Sequence, residues 1–293
     1  MKARDVAETT RRAYLGDLAR FLRWAEKRLE GRFDPASVTP IDVAAYRDEL
    51  REKAGQSPAS VNRNLASLRW FFAHLKQGGQ IPDDPTEPIR GMRMMRATQP
   101  QALAPTDINA LLRAARSTGW ETARPRNYTL VQLPVQTGLR LAELLHLRWE
   151  DVSVRPKSGT LRVRAGKGLK ERIIPLNHTA RKVLADWKAA CVARGALKEY
   201  VFASSKGNPL SSGAVELLLR ELAQRARISG RVSPHVLRHT FATQYLIKHP
   251  GDLVGLASLL GHDSIATTAI YTKPTLESLA EKVEDSPLNV YHS

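Results

Sequence analysis

Three times along this chain a hydroxyl residue stands directly before a proline, and an amphipathic stripe follows: Thr39-Pro40, Ser57-Pro58 and Ser233-Pro234. A serine or threonine oxygen satisfies a free N–H of a helix's first turn. Proline suits the first helical position because its missing N–H would have no partner there anyway. Each pair therefore marks a helix start. Gly78 and Gly79 stop the second of these stripes. A further stripe, Leu253, Leu256, Ala257 and Leu260, is opened by Asp252 and closed by Gly261, the residue type suited to a left-handed helix stop. Punctuation of this kind predicts a mainly α protein.

The first part of the chain reads as helices alone. Tyr14, Leu18, Phe21, Leu22 and Ala25 form one stripe, and Val61, Leu65, Leu68 and Phe72 form another. The stretch Gly91 to Pro105 has no clean periodicity and reads as a linker. Two domains are expected, 1–96 and 97–293. The second is mostly helical, with helices near 179–194, 213–227, 235–248, 253–260 and 265–271. It carries one β signal: Leu161 and Val163 alternate, Gly166-Lys167-Gly168 turns the chain, and Ile173, Ile174 and Leu176 return it.

Charge narrows the function classes. The 293 residues hold 45 Lys and Arg against 29 Asp and Glu, a formal net charge of +16. The excess is spread through helical segments rather than gathered in a tail, so nucleic acid is the natural partner. No apolar run is long enough for a membrane span, and the charged start lacks a signal-peptide core, so the cytoplasm is expected. The single cysteine, Cys191, shares a helical face with Val183, Leu184 and Trp187. It reads as a buried structural residue; one cysteine makes no disulfide and no cysteine-rich zinc site.

Several residues invite a chemical reading, and each has a plain alternative. Arg140 follows the Gly138 break with Glu143 three residues on: a surface ion pair, or a guanidinium held by a carboxylate and aimed at a phosphate. Lys167 sits in a Gly-Lys-Gly turn: a solvated residue, or an ammonium carried into a DNA groove. His235 and Arg238 lie three apart, with His239 at the fourth place; the glutamate of an H-E-x-x-H site is missing and a cation sits between the histidines, so zinc is disfavoured. His262 emerges just after Gly261. Tyr271 stands near the end of a short segment before Pro274, where an aromatic usually packs.

As an ordered set these residues are specific. "TGLRLAELLHLRWEDV", "GKGLKERIIPL", "HVLRHTFAT" and "LLGHDSIATTAIYT" resemble the tyrosine recombinase (phage integrase) family, most closely its two-domain Xer-like and transposon-borne members. The N-terminal "TTRRAYLGDLARFLRWAE" is similar to that family's core-binding helical domain. Lys273 stands where many members have histidine.

The resemblance implies a SAM-like core-binding domain followed by a mostly helical catalytic domain with a small β-sheet or hairpin. It implies Arg140, Lys167, His235, Arg238, His262 and Tyr271 as catalytic residues, with Glu143 supporting. Tyr271 would attack a scissile phosphate to give a 3′-phosphotyrosine, and the freed 5′-hydroxyl would later rejoin. No metal and no cofactor is implied. The partner is double-stranded DNA with inverted repeats, bound by a homotetramer or with a paralogue and possible accessory proteins. Residues 275–293 would dock on a neighbour or, alternatively, pack on their own domain. Asn62, Arg63 and Arg69 on the third helix are candidate DNA-facing residues, with a plain solvated face as the alternative. The alternatives are a type IB topoisomerase-like enzyme and a non-catalytic DNA-binding relative.

Overall fold

The computed structural model describes residues 8–28, 33–93, 101–164 and 171–261. The chain divides into two compact units, Met1–Thr98 and Gln99–Ser293. The first contains α1 (Glu8–Arg28), α2 (Pro40–Glu52) and α3 (Pro58–Gln77). Its helix starts follow the capping chemistry. Thr39 Oγ1 accepts from Asp42 N–H while Asp42 Oδ2 accepts from Thr39 N–H, and Ser57 Oγ accepts from Ser60 N–H. Phe21 centres the core, edge-on to Tyr46 and Phe72, with Val43, Leu50, Val61, Leu65 and Leu68 around it.

One inward residue of α1 breaks the apolar stripe. Asp17 is 3% exposed. A buried carboxylate needs partners. Arg63 Nη2 donates to its Oδ1 at 2.9 Å and Ser67 Oγ to its Oδ2 at 3.1 Å, both from α3.

The second unit is built around α5 (Arg124–Thr137), whose residues from Thr129 to Pro134 are all buried. Leu130, Val131 and Leu133 anchor it in the interior, and polar Thr129 and Gln132 are enclosed with them. It packs against α4 (Pro105–Ser117), α7 (His178–Val192) and α9 (Pro234–Lys248), and α8 (Ser212–Arg225) completes the shell. The short α6 (Leu141–Leu145) follows α5, and α10 (Leu253–Leu260) follows α9. Cys191 is buried beside Val183, Leu184 and Trp187.

The sheet is antiparallel in the order β1-β2-β3: β1 (Val152–Val154), β2 (Gly159–Val163) and β3 (Arg172–Pro175). Leu161 pairs with Ile174 across β2 and β3. β1 went unread in the sequence because three residues are too few to show alternation. Buried Asp151, at its base, braces it to β2 by accepting from Arg162 and Arg164. Ala142 of α6 is exposed. A single short turn buries only Leu144 and Leu145 fully.

Candidate active site

The Gly138 break is the first positioning device. Gly138 ends α5 in the left-handed region, φ 66°, and its N–H donates back to Pro134 O. A methyl group there would stand 2.5 Å from Phe241 Cδ1 and 2.6 Å from Leu260 Cδ2. The turn is therefore covered by α9 and α10, and no larger residue fits. Gly138→Ala combines a left-handed penalty of about 1–2 kcal/mol with overpacking of about 1–3 kcal/mol. We expect a lower urea midpoint for the variant; an unchanged midpoint would show that the turn rearranges freely.

Leu139 is buried, and Arg140 then caps α6. Glu143 holds it twice: Arg140 N–H donates to Oε2 at 2.8 Å and Nη1 to Oε1 at 2.9 Å. The other arm of the guanidinium, Nη2, donates to Gly261 O at 2.9 Å.

α9 begins at the Ser233 cap, whose Oγ accepts from Val236 N–H. His235 in the first turn is exposed, whereas Arg238, one turn on, is 5% exposed. Arg238 Nη1 donates to Gly138 O at 2.7 Å and Nη2 to Leu260 O at 2.9 Å. His239 is buried too, and burial, then the neighbouring His235, pulls its pKa below the ordinary value.

A third guanidinium joins them. Arg172 of β3 donates through Nε to Leu259 O at 2.9 Å, and through Nη1 and Nη2 to the two Glu143 oxygens at 2.9 and 2.7 Å. Three arginines from α6, α9 and β3 thus bind three consecutive carbonyls, Leu259, Leu260 and Gly261. These lie at the C-terminal end of α10, where carbonyls lack helical partners and the helix dipole is negative. Gly261, φ 64°, closes the helix, and a methyl on it would lie 2.7 Å from Arg172 Nη1. Burial raises the Glu143 pKa, but hydrogen bonds from Arg172 and Arg140 outweigh it, so the carboxyl stays below its ordinary value.

In the sequence Arg172 is one residue of the hairpin's return strand. The available signal was its register. Side chains alternate along a strand, so Arg172 shares the inward face of buried Ile174 while Ile173 is exposed. A cation on the core-facing register needs a carboxylate partner.

Arg140, Glu143 and Arg238 are therefore brought together, and His235 stands on the same helix as Arg238. Lys167, His262, Tyr271, the helix expected at 265–271 and the tail 275–293 lie outside the described residues. The three candidates on α3 each have an internal partner. Asn62 Nδ2 donates to Met92 O and its Oδ1 accepts from Met92 N–H; Arg69 donates to Ile89 O; Arg63 pairs with Asp17. Among the described residues no group of three His, Cys, Asp or Glu is placed to hold a metal ion, and no helix is long and apolar enough to cross a membrane.

The pattern of the phage integrase family matches residues 101–277, and that of the phage integrase N-terminal SAM-like domain matches residues 1–79. The chain belongs to the phage integrase family. It is 34% identical over 285 residues to the tyrosine recombinase XerC of Xanthomonas campestris pv. campestris (strain B100), covering 97% of this chain and 84% of that relative. The crystal structure of XerA recombinase is similar at 27% identity with a TM-score of 0.53, covering 94% of this chain and 92% of XerA. The fold also matches XerH recombinase in its post-cleavage complex with palindromic difH substrate: TM-score 0.72, 22% identity, 94% of this chain and 79% of that one. The predicted fold class, mainly helical with a small sheet, is the fold of these recombinases.

Proposed function

We propose that this tyrosine-type site-specific DNA recombinase uses Tyr271 as its nucleophile, with Arg140, Lys167, His235, Arg238 and His262 completing the catalytic set. The observation that carries the reading is the meeting of Arg140 and Arg238. They lie far apart in sequence, yet each places one arm on the α10 end, at Gly261 O and Leu260 O, directly before His262. Guanidinium groups gathered in a partly buried site are suited to charge growing on phosphate oxygens.

In the proposed reaction the Tyr271 oxygen forms a bond to phosphorus and the P–O5′ bond breaks. The phenol's ordinary pKa near 10 means it must lose its proton as it attacks, and His235, exposed in the first turn of α9, would assist. Lys167 would protonate the departing 5′-oxygen. His262 would donate to a phosphate oxygen. The phosphotyrosine retains the energy of the broken bond, so no metal or nucleotide is needed, and a 5′-hydroxyl from a second duplex reverses the step.

The same reading assigns the first unit to core-site DNA binding and the second to catalysis. Arg63, whose side chain is half exposed, and Arg69 would serve phosphates as well as their internal partners. Asn62 would act mainly through its clamp on Met92. DNA carrying inverted repeats is the proposed substrate, in a homotetramer or with a paralogue, the 275–293 tail docking on a neighbour and accessory proteins assisting where needed. The nucleoid in the cytoplasm is the proposed location. Relatedness to Xer recombinases sets the topoisomerase-like alternative aside.

The test is covalent trapping. Incubating the full chain with a library of nicked duplexes should give a protein–DNA adduct on 3′ ends, and sequencing the trapped DNA maps the cleaved phosphates. The adduct should form equally in EDTA. Its loss in chelator would reinstate a metal mechanism.

A further inference from the structure

Arg172 has no place in the catalytic set above, yet it is firmly bound inside the same cluster. All three of its nitrogen positions are engaged: Nε on Leu259 O, Nη1 and Nη2 on Glu143. No arm is directed elsewhere. We propose that Arg172 is a positioning residue for strand transfer, occupying both Glu143 oxygens so that the carboxylate cannot chelate Arg140 and draw it off the phosphate. The proposal rests on the reading in which Arg140 neutralises that phosphate.

The geometry carries it. A carboxylate forms its strongest pair with a guanidinium through two parallel bonds. Glu143 gives that fork to Arg172 and only a single side-chain bond, Nη1 to Oε1, to Arg140. The remaining Glu143 oxygen position accepts the Arg140 backbone N–H. Four donors therefore fill a carboxylate with about four acceptor sites. Two cations share one anion, which leaves Arg140 only partly neutralised. Without Arg172, Glu143 has both oxygens available to one cation, and Arg140 turns toward it.

Burial makes this matter. The side chains of Arg172 and Glu143 are each 11% exposed, so water does little to screen their charges. Arg172 also fixes the helix that the other two arginines hold, because its Nε bond to Leu259 O and its contact over Gly261 tie β3 to α10. The arginine acts through Arg140 and the α10 end, and touches no reacting atom.

The experiment compares adduct formation in single turnovers on two nicked duplexes, both carrying the cleaved sequence found by adduct mapping. One has an ordinary scissile phosphate. The other has a methylphosphonate, which lacks one charged oxygen and needs less cationic neutralisation. Arg172→Gln should bind DNA as the wild type does but form adduct about 100-fold more slowly on the phosphodiester, the scale of a small misplacement of a catalytic group. On the methylphosphonate most of that deficit should vanish. Arg172→Lys, which keeps the charge but loses the fork, should fall between and show the same relief. It carries the test if circular dichroism shows the Gln variant unfolded.

Equal rates for wild type and variants overturn the proposal. So does a deficit of the same size on both substrates, which would mark a purely structural role, and so does weakened DNA binding at an unchanged rate. A wild-type chain that forms no adduct overturns the nucleophile reading itself, and is thereby distinguished from failure of the Arg172 proposal alone.

Discussion

Tyr271→Phe should abolish the covalent adduct while DNA binding stays at the wild-type level. The substitution removes one oxygen, the atom proposed to bond phosphorus, and keeps the aromatic ring. Loss of a nucleophile acts on the scale of about 10⁴-fold or more, far above the effect of any supporting contact. The readout is a denaturing gel of protein bound to a nicked duplex, with a mobility shift on the same DNA as the binding control. Phosphate contacts dominate DNA affinity, and a neutral phenol contributes little to them, so the two measurements separate. An adduct with the phenylalanine variant would mean that another residue attacks. A variant that neither binds nor reacts would mean that Tyr271 holds the fold or the DNA rather than performing the chemistry.

Arg238→Gln should lose both activity and stability, a double effect that Tyr271→Phe lacks. Arg238 is 5% exposed and bridges Gly138 O to Leu260 O. It therefore joins the turn before Arg140 to the end of α10. Glutamine is shorter and carries no charge, and it leaves two buried carbonyls short of donors, a loss of about 2–4 kcal/mol on the scale of charged hydrogen bonds. Removing one preorganised donor from a developing negative charge costs about 10²–10³ in rate. Urea titration measures the first effect and single-turnover adduct formation the second. Arg238→Lys should retain more stability than the glutamine variant but little of the rate, because an ammonium is a point charge and cannot bridge two carbonyls as a fork does. Wild-type stability in Arg238→Gln would show that the two carbonyls find other donors.

These expectations rest on contacts of different legibility. What the chain wrote locally was readable. Thr39, Ser57, Ser233 and Asp252 each accept the hydrogen bond their position predicts, Gly261 takes its left-handed stop, and α10 runs from Leu253 to Leu260. Caps and stops depend on neighbours a few residues away, so spacing alone reveals them. The hairpin was legible for the same reason, since Leu161, Val163 and Ile174 alternate inward.

What depends on distant partners was not legible. Asp17 looks like an exposed helical carboxylate until α3 supplies Arg63 and Ser67. Asn62 and Arg69 look like residues facing outward until the chain returns past Ile89 and Met92 and takes their hydrogen bonds. Arg172 stands in the hairpin's return strand, yet its partners Glu143 and Leu259 are separated from it by 29 and 87 positions. No periodicity encodes such a meeting. The site therefore divides along the same line: Arg140 and Glu143 are neighbours on one turn, while the convergence of three arginines is a property of the folded unit.

That convergence bears on how a cluster of cations survives without DNA. Like charges packed together repel, and a domain holding them needs an internal anion if it is to fold before its ligand arrives. Glu143 supplies one charge, and the C-terminal end of α10 supplies about half of another. The ligands offered to Arg140 and Arg238 there are oxygens, as they are on a phosphate. In the proposed reaction, exchange of a carbonyl for a phosphate oxygen would replace like with like, and the guanidinium groups would meet DNA already stripped of much of their water. The end of one short helix thus serves as the resting counter-ion of the site.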